Sequence, residues 1–311
     1  MDTAVKFPTT PEAIKAAPLK LGKRIRVEQA FVAIARNCLD QILANEAGVA
    51  RFHDVESVHQ MRVGLRRLHA ALAMFDEVLR APADVTTEHA WLMDQLGQAR
   101  DWDVLLADTL HHVEQALPEN PALAQVKNAA REKGEAAHAR AADAVASPRF
   151  KQLTERLAHW LELRGWRDGL SSQGKMRLKM RATDFADNML AHEQQRLLKR
   201  GRKLKDATPK DRHRVRIATK RARYATEFFA SLYPGKRVRP YVAALTALQG
   251  ELGALNDGDV ATRLLGELCE GNDAVREGAA LASGYLAACE QQGGLSVRRL
   301  WKKLTPFKPP Y

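Results

Sequence analysis

His59, Arg62, Arg66 and His69 stand three, four and three residues apart, and His213, Arg216, Lys220 and Arg223 repeat that spacing 154 residues further on. Steps of three and four return to one side of an α-helix, so each quartet is a row of basic groups. A guanidinium forks onto the oxygens of an anion, an ammonium acts as a point charge, and an imidazole changes charge near neutrality. Such rows could hold an anion, and each spans about three helical turns. They could instead be solvated faces, or partners of carboxylates on neighbouring helices. For His59 and His213 a hydrogen-bonded structural role is a further alternative. As ligands of a polyanion they would favour their charged form, and binding would tighten from about pH 8 to pH 6.

The elements that must carry these rows follow from the apolar residues beside them. Val58, Met61, Leu65, Leu68, Leu72, Phe75 and Leu79 form one stripe down a helix over 58–79, capped by Asp54 and ended by Arg80-Ala81-Pro82. The second row lies in RHRVRIATKRARYATEFF, opened by Thr208-Pro209-Lys210-Asp211 as a capping box and stopped at Pro234-Gly235. A second block repeats too. Leu96-Gly97, Asp101, Asp103 and Val104 return as Leu252-Gly253, Asp257, Asp259 and Val260, 156 residues apart, and Arg67 and Phe75 match Arg221 and Phe229. Each segment therefore carries an Arg and an Asp pair, and Arg67 and Arg221 are expected to bond Asp101 and Asp257. The paired aspartates could alternatively hold a divalent cation, although helix capping is simpler.

Other helices are expected over 20–46, 87–96, 102–116, 123–146, 148–165, 175–200, 238–252 and 259–291, with Ser147-Pro148 as a strong start signal and 168–174 as the boundary between repeats. No period-two strand pattern appears, so the fold class is all-α. Lys23 and Arg24 open the first of these helices, and Lys175, Arg177 and Lys179 open the sixth. Cations there oppose the helix dipole, which a bound anion would relieve.

Composition agrees with an anionic partner. The chain of 311 residues has a net charge of +12 and a pI near 9.8, and between Thr208 and Tyr233 seven Lys and Arg face only Asp211 and Glu227. With 45% hydrophobic and 28% charged residues it reads as an ordinary folded protein, and no apolar run reaches the roughly 20 residues of a membrane span. Cys38, Cys269 and Cys289 suit neither a disulfide framework nor a paired-cysteine zinc site, which points to a reducing cytoplasm. Residues 1–19 carry Pro8, Pro11 and Pro18 without an apolar signal core and read as a flexible tail. No nucleophile elbow or phosphate-cradling glycine loop is present, so no enzymatic activity and no cofactor are expected.

The paired segments VHQMRVGLRRLHAALAMF with LGQARDWDV, and DRHRVRIATKRARYATEFF with LGALNDGDV, resemble the two halves of a CHAD domain, the conserved histidine α-helical domain. The resemblance covers 19–304. It implies two similar antiparallel helical bundles related by a pseudo-twofold around a basic central cavity, with a CHAD domain over 20–305, a first repeat at 20–167, a second at 175–305 and a short tail at 306–311. It further implies binding of inorganic polyphosphate and association with polyphosphate granules in the cytoplasm, where granule proteins would be neighbours. The binding residues would then be both rows together with Lys23, Arg24, Lys175, Arg177 and Lys179. Some members carry a fused CYTH enzyme domain with alternating glutamates, but here no two Glu are separated by one residue. The main rival is a binder of nucleic acid or another polyanion, which the pI alone would suit. Only 6% of residues are aromatic, few for stacking single-stranded bases.

Overall fold

A computed structural model describes residues 12–311. Of the described residues 82% are helical, and the sole β-type pairing among them is an isolated bridge between Arg26 and Arg181. The first helices are α1 (Val27–Ala44), α2 (Glu46–Phe52), α3 (Val55–Phe75) and α4 (Ala83–Val104), followed by a π-helical turn (Leu105–Thr109) and α5 (Leu110–Ala116). Next come α6 (Pro121–Ala146), α7 (Pro148–Leu163), α8 (Ser172–Lys179), α9 (Ala182–Gly201) and α10 (Pro209–Phe229). Two long helices, α11 (Gly235–Cys269) and α12 (Arg276–Leu304), complete the chain.

Local chemistry sets the starts of the two row-bearing helices. The Asp54 carboxylate accepts the Ser57 amide at 2.7 Å to begin α3. At α10 the Thr208 hydroxyl accepts the Asp211 amide at 3.2 Å and donates to the Asp211 carboxylate at 2.7 Å, with Pro209 in the first turn. The α3 stripe is then buried at Val58, Met61, Leu65, Leu68 and Phe75. Gly64 lets α1 approach it closely, since a Cβ there would lie 2.9 Å from the Ile42 side chain.

Several boundaries differ from the sequence expectation. No stop occurs at Gly97: Leu96 and Ala99 are fully buried, so packing outweighs the cost of about 1 kcal/mol for a helical glycine, and α4 continues past Asp101, which caps nothing. In the same way α11 runs through Gly253. It also tolerates Pro240, whose missing N–H deprives only the exposed Lys236 carbonyl. The helix expected over 175–200 is two helices broken at Met180-Arg181, where the Met180 carbonyl accepts Val27 N–H and Ala182 N–H reaches the Ile25 carbonyl. Lys23 and Arg24 precede α1 in an exposed turn. Of the expected loose tail, 12–19 runs along α1 instead: Ile14 exchanges two backbone hydrogen bonds with the Asn45 side chain, and the Ala17 carbonyl accepts from Asn37. The rest of that tail, 1–11, lies outside the described residues.

The apolar interior does not divide at 168–174. A larger core joins α1, α3, α4, α6 and α7 to the C-terminal end of α10 and parts of α11 and α12. A smaller core packs the end of α9, the first two-thirds of α10, the first half of α11 and the end of α12, while the start of α9 belongs to the larger core. Within the larger core, aromatic contacts join α1 and α3 to α9 and α10: Phe75 lies 5.1 Å from Phe31, 4.7 Å from Phe185 and 6.2 Å from Phe229. Each such pair contributes about 0.5 to 1.5 kcal/mol beyond its buried area. The shared aromatics fix α3 against α10, and with them the relation between the two basic rows.

Candidate functional site

On α3 and α10 the apolar stripe faces the core, and the basic row beside it is held at the edge of the interior. In the α3 row Arg62 is the most tightly fixed member. Its Nη1 donates to the Met93 carbonyl at 3.0 Å and passes over Gly97, where a Cβ would lie only 2.7 Å from that nitrogen. Gly97 thus makes room for a guanidinium. Burial, followed by the neighbouring Arg66 charge, pulls the Arg62 pKa down to about 10.

The two rows meet at their middles. Lys220 lies beside Arg216, Arg66, Arg62 and Asp257, and burial first, then the Arg216 and Arg66 charges, pulls its pKa down to about 7. Burial also lowers Arg216, while Asp257 opposes the shift. The Nε atoms of Arg66 and Arg216 are buried with no acceptor, an arrangement that typically costs about 1 to 3 kcal/mol for each donor. Among the described residues no carboxylate lies within 4 Å of Arg62, Arg66, Arg216 or Lys220: Asp101 reaches Arg263 across α4 and α11 at 3.4 Å, and Asp257 stands further off. Burial raises the pKa of both Asp101 and Asp257 despite the cations around them. A cavity of about 410 Å³ opens between α3, α4 and α10, with Arg66, His69, Lys220 and Arg221 on its wall and Met93, Ile217 and Tyr224 among its apolar lining. The arrangement is a desolvated group of cations whose internal acids do not satisfy it.

The remaining sequence candidates are distributed around this centre. His59 is half-buried and close to Arg100, Arg66 and Arg62; burial, then the Arg100 charge, holds it below the usual imidazole value. His69 keeps an exposed edge but stacks its ring on the buried His89 at 5.7 Å between ring centres, and desolvation of that inward part, then the Arg221 charge, lowers its pKa. Both are therefore less easily charged than a free imidazole. His213 is exposed near the start of α10. Arg223 is neutralised internally, donating to Glu227 at 2.6 Å and Gln249 at 2.8 Å. Lys23, Arg24, Lys175, Arg177 and Lys179 lie on the surface where the start of α1 meets α8, outside the central group.

The expected Arg–Asp pairs do not form. Arg67 donates to the neutral amides Gln41 and Asn37 at 2.9 and 2.7 Å and covers the Phe228 ring at 5.6 Å. Arg221 bonds the fully buried Glu193 at 2.8 Å. Asp103 accepts from His138 at 2.7 Å, so Asp101 and Asp103 serve different partners. No group of three potential metal ligands gathers among the described residues. Sequence reasoning missed Arg100, which faces His59 and Arg62, because its match in the second copy is Asn256 and the repeat did not mark it. It also passed over the cations at and just beyond the end of α9, written plainly as LLKRGRKLKD.

A family model described as CHAD domain matches residues 33–266. The chain belongs to the CHAD-domain family. It is similar to the crystal structure of the CHAD domain from the plant Ricinus communis, with 37% identity, a TM-score of 0.85, and 96% of this chain and 99% of that one covered. PptA from Streptomyces chartreusis shares the fold at a TM-score of 0.66 with 16% identity, over 89% of this chain and 100% of that one. A comparison with curated proteins finds no match. In this CHAD domain no helix is long and apolar enough to cross a membrane among the described residues.

Proposed function

We propose that this CHAD domain binds inorganic polyphosphate, without cleaving it, on the cations that converge between α3 and α10, and that this binding places it at polyphosphate granules. The observation that carries the reading is the trio Arg66, Arg216 and Lys220. It comes from both copies of the repeated motif, two of its members hold buried donors without acceptors, and burial among like charges has brought the third to about 7. Cations are gathered out of water at a cost, and a flexible chain of phosphates supplies the missing counter-charge through charge-assisted bonds. It needs neither base readout nor a stacking platform.

Calorimetry with long-chain polyphosphate tests the proposal. Affinity should fall steeply with salt, because every neutralised phosphate releases counterions: a log–log slope near −4 corresponds to about four contacts, by analogy with nucleic acids. An equally tight complex with RNA that polyphosphate does not displace would favour the nucleic-acid reading, and shortening of the polymer in Mg²⁺ would make the protein an enzyme. The pH response has a definite sign. Lys220 faces Arg62, Arg66, Arg216 and Asp257 and has a free-state pKa of about 7, whereas bound phosphate favours its charged form. Above that value binding takes up a proton, so affinity should drop up to about tenfold from pH 7 to pH 8 and level off below pH 7. Burial lowers His59 and His69 as well, and any imidazole that bound phosphate charges adds a loss of the same sign as the pH rises. Affinity that stays flat from pH 6 to 8 would remove Lys220 from the site.

A further inference from the structure

The cavity between α3, α4 and α10 has walls that a chain of phosphates leaves unused. Arg66 on α3 and Lys220 and Arg221 on α10 supply its charge, while α4 brings His89, Ala90 and Met93 and no Lys, Arg or acid. Ala70 and Ala73 follow Arg66 by one and two turns of α3, and Ile217 precedes Lys220 by one turn of α10, so each cation has hydrocarbon beside it on the same side of its helix. Among the large apolar side chains of α10, Ile217 alone is exposed, by 42%. No acid lines the hollow among the described residues.

Inorganic polyphosphate presents oxygens on every side. Those turned towards Met93, Ile217 and the alanines would give up water and find no donor, which costs free energy. An anion with a single charged end avoids that cost, because its head takes the cations and an apolar body takes the wall. The volume of about 410 Å³ lies within the roughly 300 to 1,000 Å³ of small-molecule pockets, whose linings likewise join hydrocarbon to a few charged groups. The body is hydrocarbon and not a nucleobase. Apart from the cations, only His69, His89 and Tyr224 offer a partner for a base edge, and the His89 Nε2 is already engaged with the Leu65 carbonyl at 2.9 Å.

We infer that this cavity is also a site for a small organic phosphate, a phosphate monoester of an aromatic or aliphatic alcohol, with its head on Arg66 and Lys220 and its hydrocarbon against Met93 and Ile217. The inference rests on the reading of the central cations as a phosphate site. Each methylene buried on the wall is worth about a fourfold gain in affinity, so the cavity discriminates among ligands of equal charge. Ester and polymer then compete for the same cations.

Calorimetry on the full chain with methyl phosphate and 1-naphthyl phosphate, which carry the same head, tests this. The naphthyl ester should bind at least about tenfold more tightly, and long-chain polyphosphate should displace it. Ile217→Ser alters an exposed side chain, and circular dichroism checks that the variant folds; it should cut the naphthyl gain several-fold and leave polyphosphate affinity unchanged. Equal affinity for the two esters, a gain untouched by Ile217→Ser, or naphthyl binding that survives Arg66→Gln/Lys220→Gln overturns the inference. Adenosine monophosphate bound as tightly as the naphthyl ester overturns the hydrocarbon body. Polyphosphate that fails to bind the unaltered chain, while the naphthyl ester keeps its gain and loses it in Ile217→Ser, overturns the polymer reading and supports the organic phosphate site.

Discussion

The α3 row and the α10 row have the same spacing and different fates. On α3 the lower arginine, Arg62, is threaded past Gly97 onto a carbonyl, and the row ends in His69, stacked on His89. On α10 the equivalent Arg216 keeps an unpartnered Nε, a Cβ on the equivalent Gly253 would touch nothing, and the last member, Arg223, is spent on Glu227 and Gln249. Similar side chains thus become a preset anchor on one helix and a looser, less satisfied pair on the other. Spacing decides where a cation points, but the neighbouring helix decides whether its charge is available.

The largest effect should separate available from consumed charge. Reversal of both Arg216 and Lys220 to Glu removes two charge-assisted contacts, worth about 1.5 to 3 kcal/mol each, so long-chain polyphosphate should bind at least about a hundredfold more weakly. Reversal of Arg223 alone should change affinity only a few-fold, because Glu227 already offsets it. Comparable losses in the two variants, measured by calorimetry with folding checked, would mean that internal pairing does not set the strength of the site.

The arginines one position further along sharpen the contrast in stability. Arg221→Ala leaves Glu193, 0% exposed, as an uncompensated buried charge, and should cost about 3 to 5 kcal/mol. Arg67→Ala leaves only the amides of Gln41 and Asn37, for which about 1 to 3 kcal/mol is expected. Urea midpoints measured on both variants decide it: equal midpoints would contradict the difference in partners.

How far the chain could be read in advance follows the same division. Val58 through Phe75, Asp54 and Thr208 identify the row-bearing helices because periodicity and capping are local properties. Gly97 misled for the opposite reason: a glycine that would end an isolated helix is carried through by the buried Leu96 and Ala99 on either side. The partners of Arg67 and Arg221 were illegible, since Gln41 and Glu193 lie on other helices and have no spacing relation to them, whereas Glu227, four residues on from Arg223, was open to reading and was passed over. The α9 cations were plain in the text, yet a reading guided by duplication discounts what occurs once. The corresponding stretch from the end of α1 into α2, CLDQILANEAG, contains no Lys or Arg.

The smallest effect distinguishes the two glycines. Alanine at 97 must displace the Arg62 guanidinium, whose Nη1 is 2.7 Å from the new Cβ, and a displaced Arg62 loses its bond to Met93 and its place beside Arg66. The variant should fold with little change in midpoint, because alanine's higher helix propensity offsets the local shift by about 0.5 to 1 kcal/mol, but polyphosphate affinity should fall several-fold. Alanine at 253 meets no atom within 4 Å and gains the same propensity, so its midpoint should rise by that amount with affinity unchanged. Should both substitutions stabilise and neither weaken binding, Gly97 would be a tolerated helical glycine like Gly253, and the position of Arg62 would owe nothing to it.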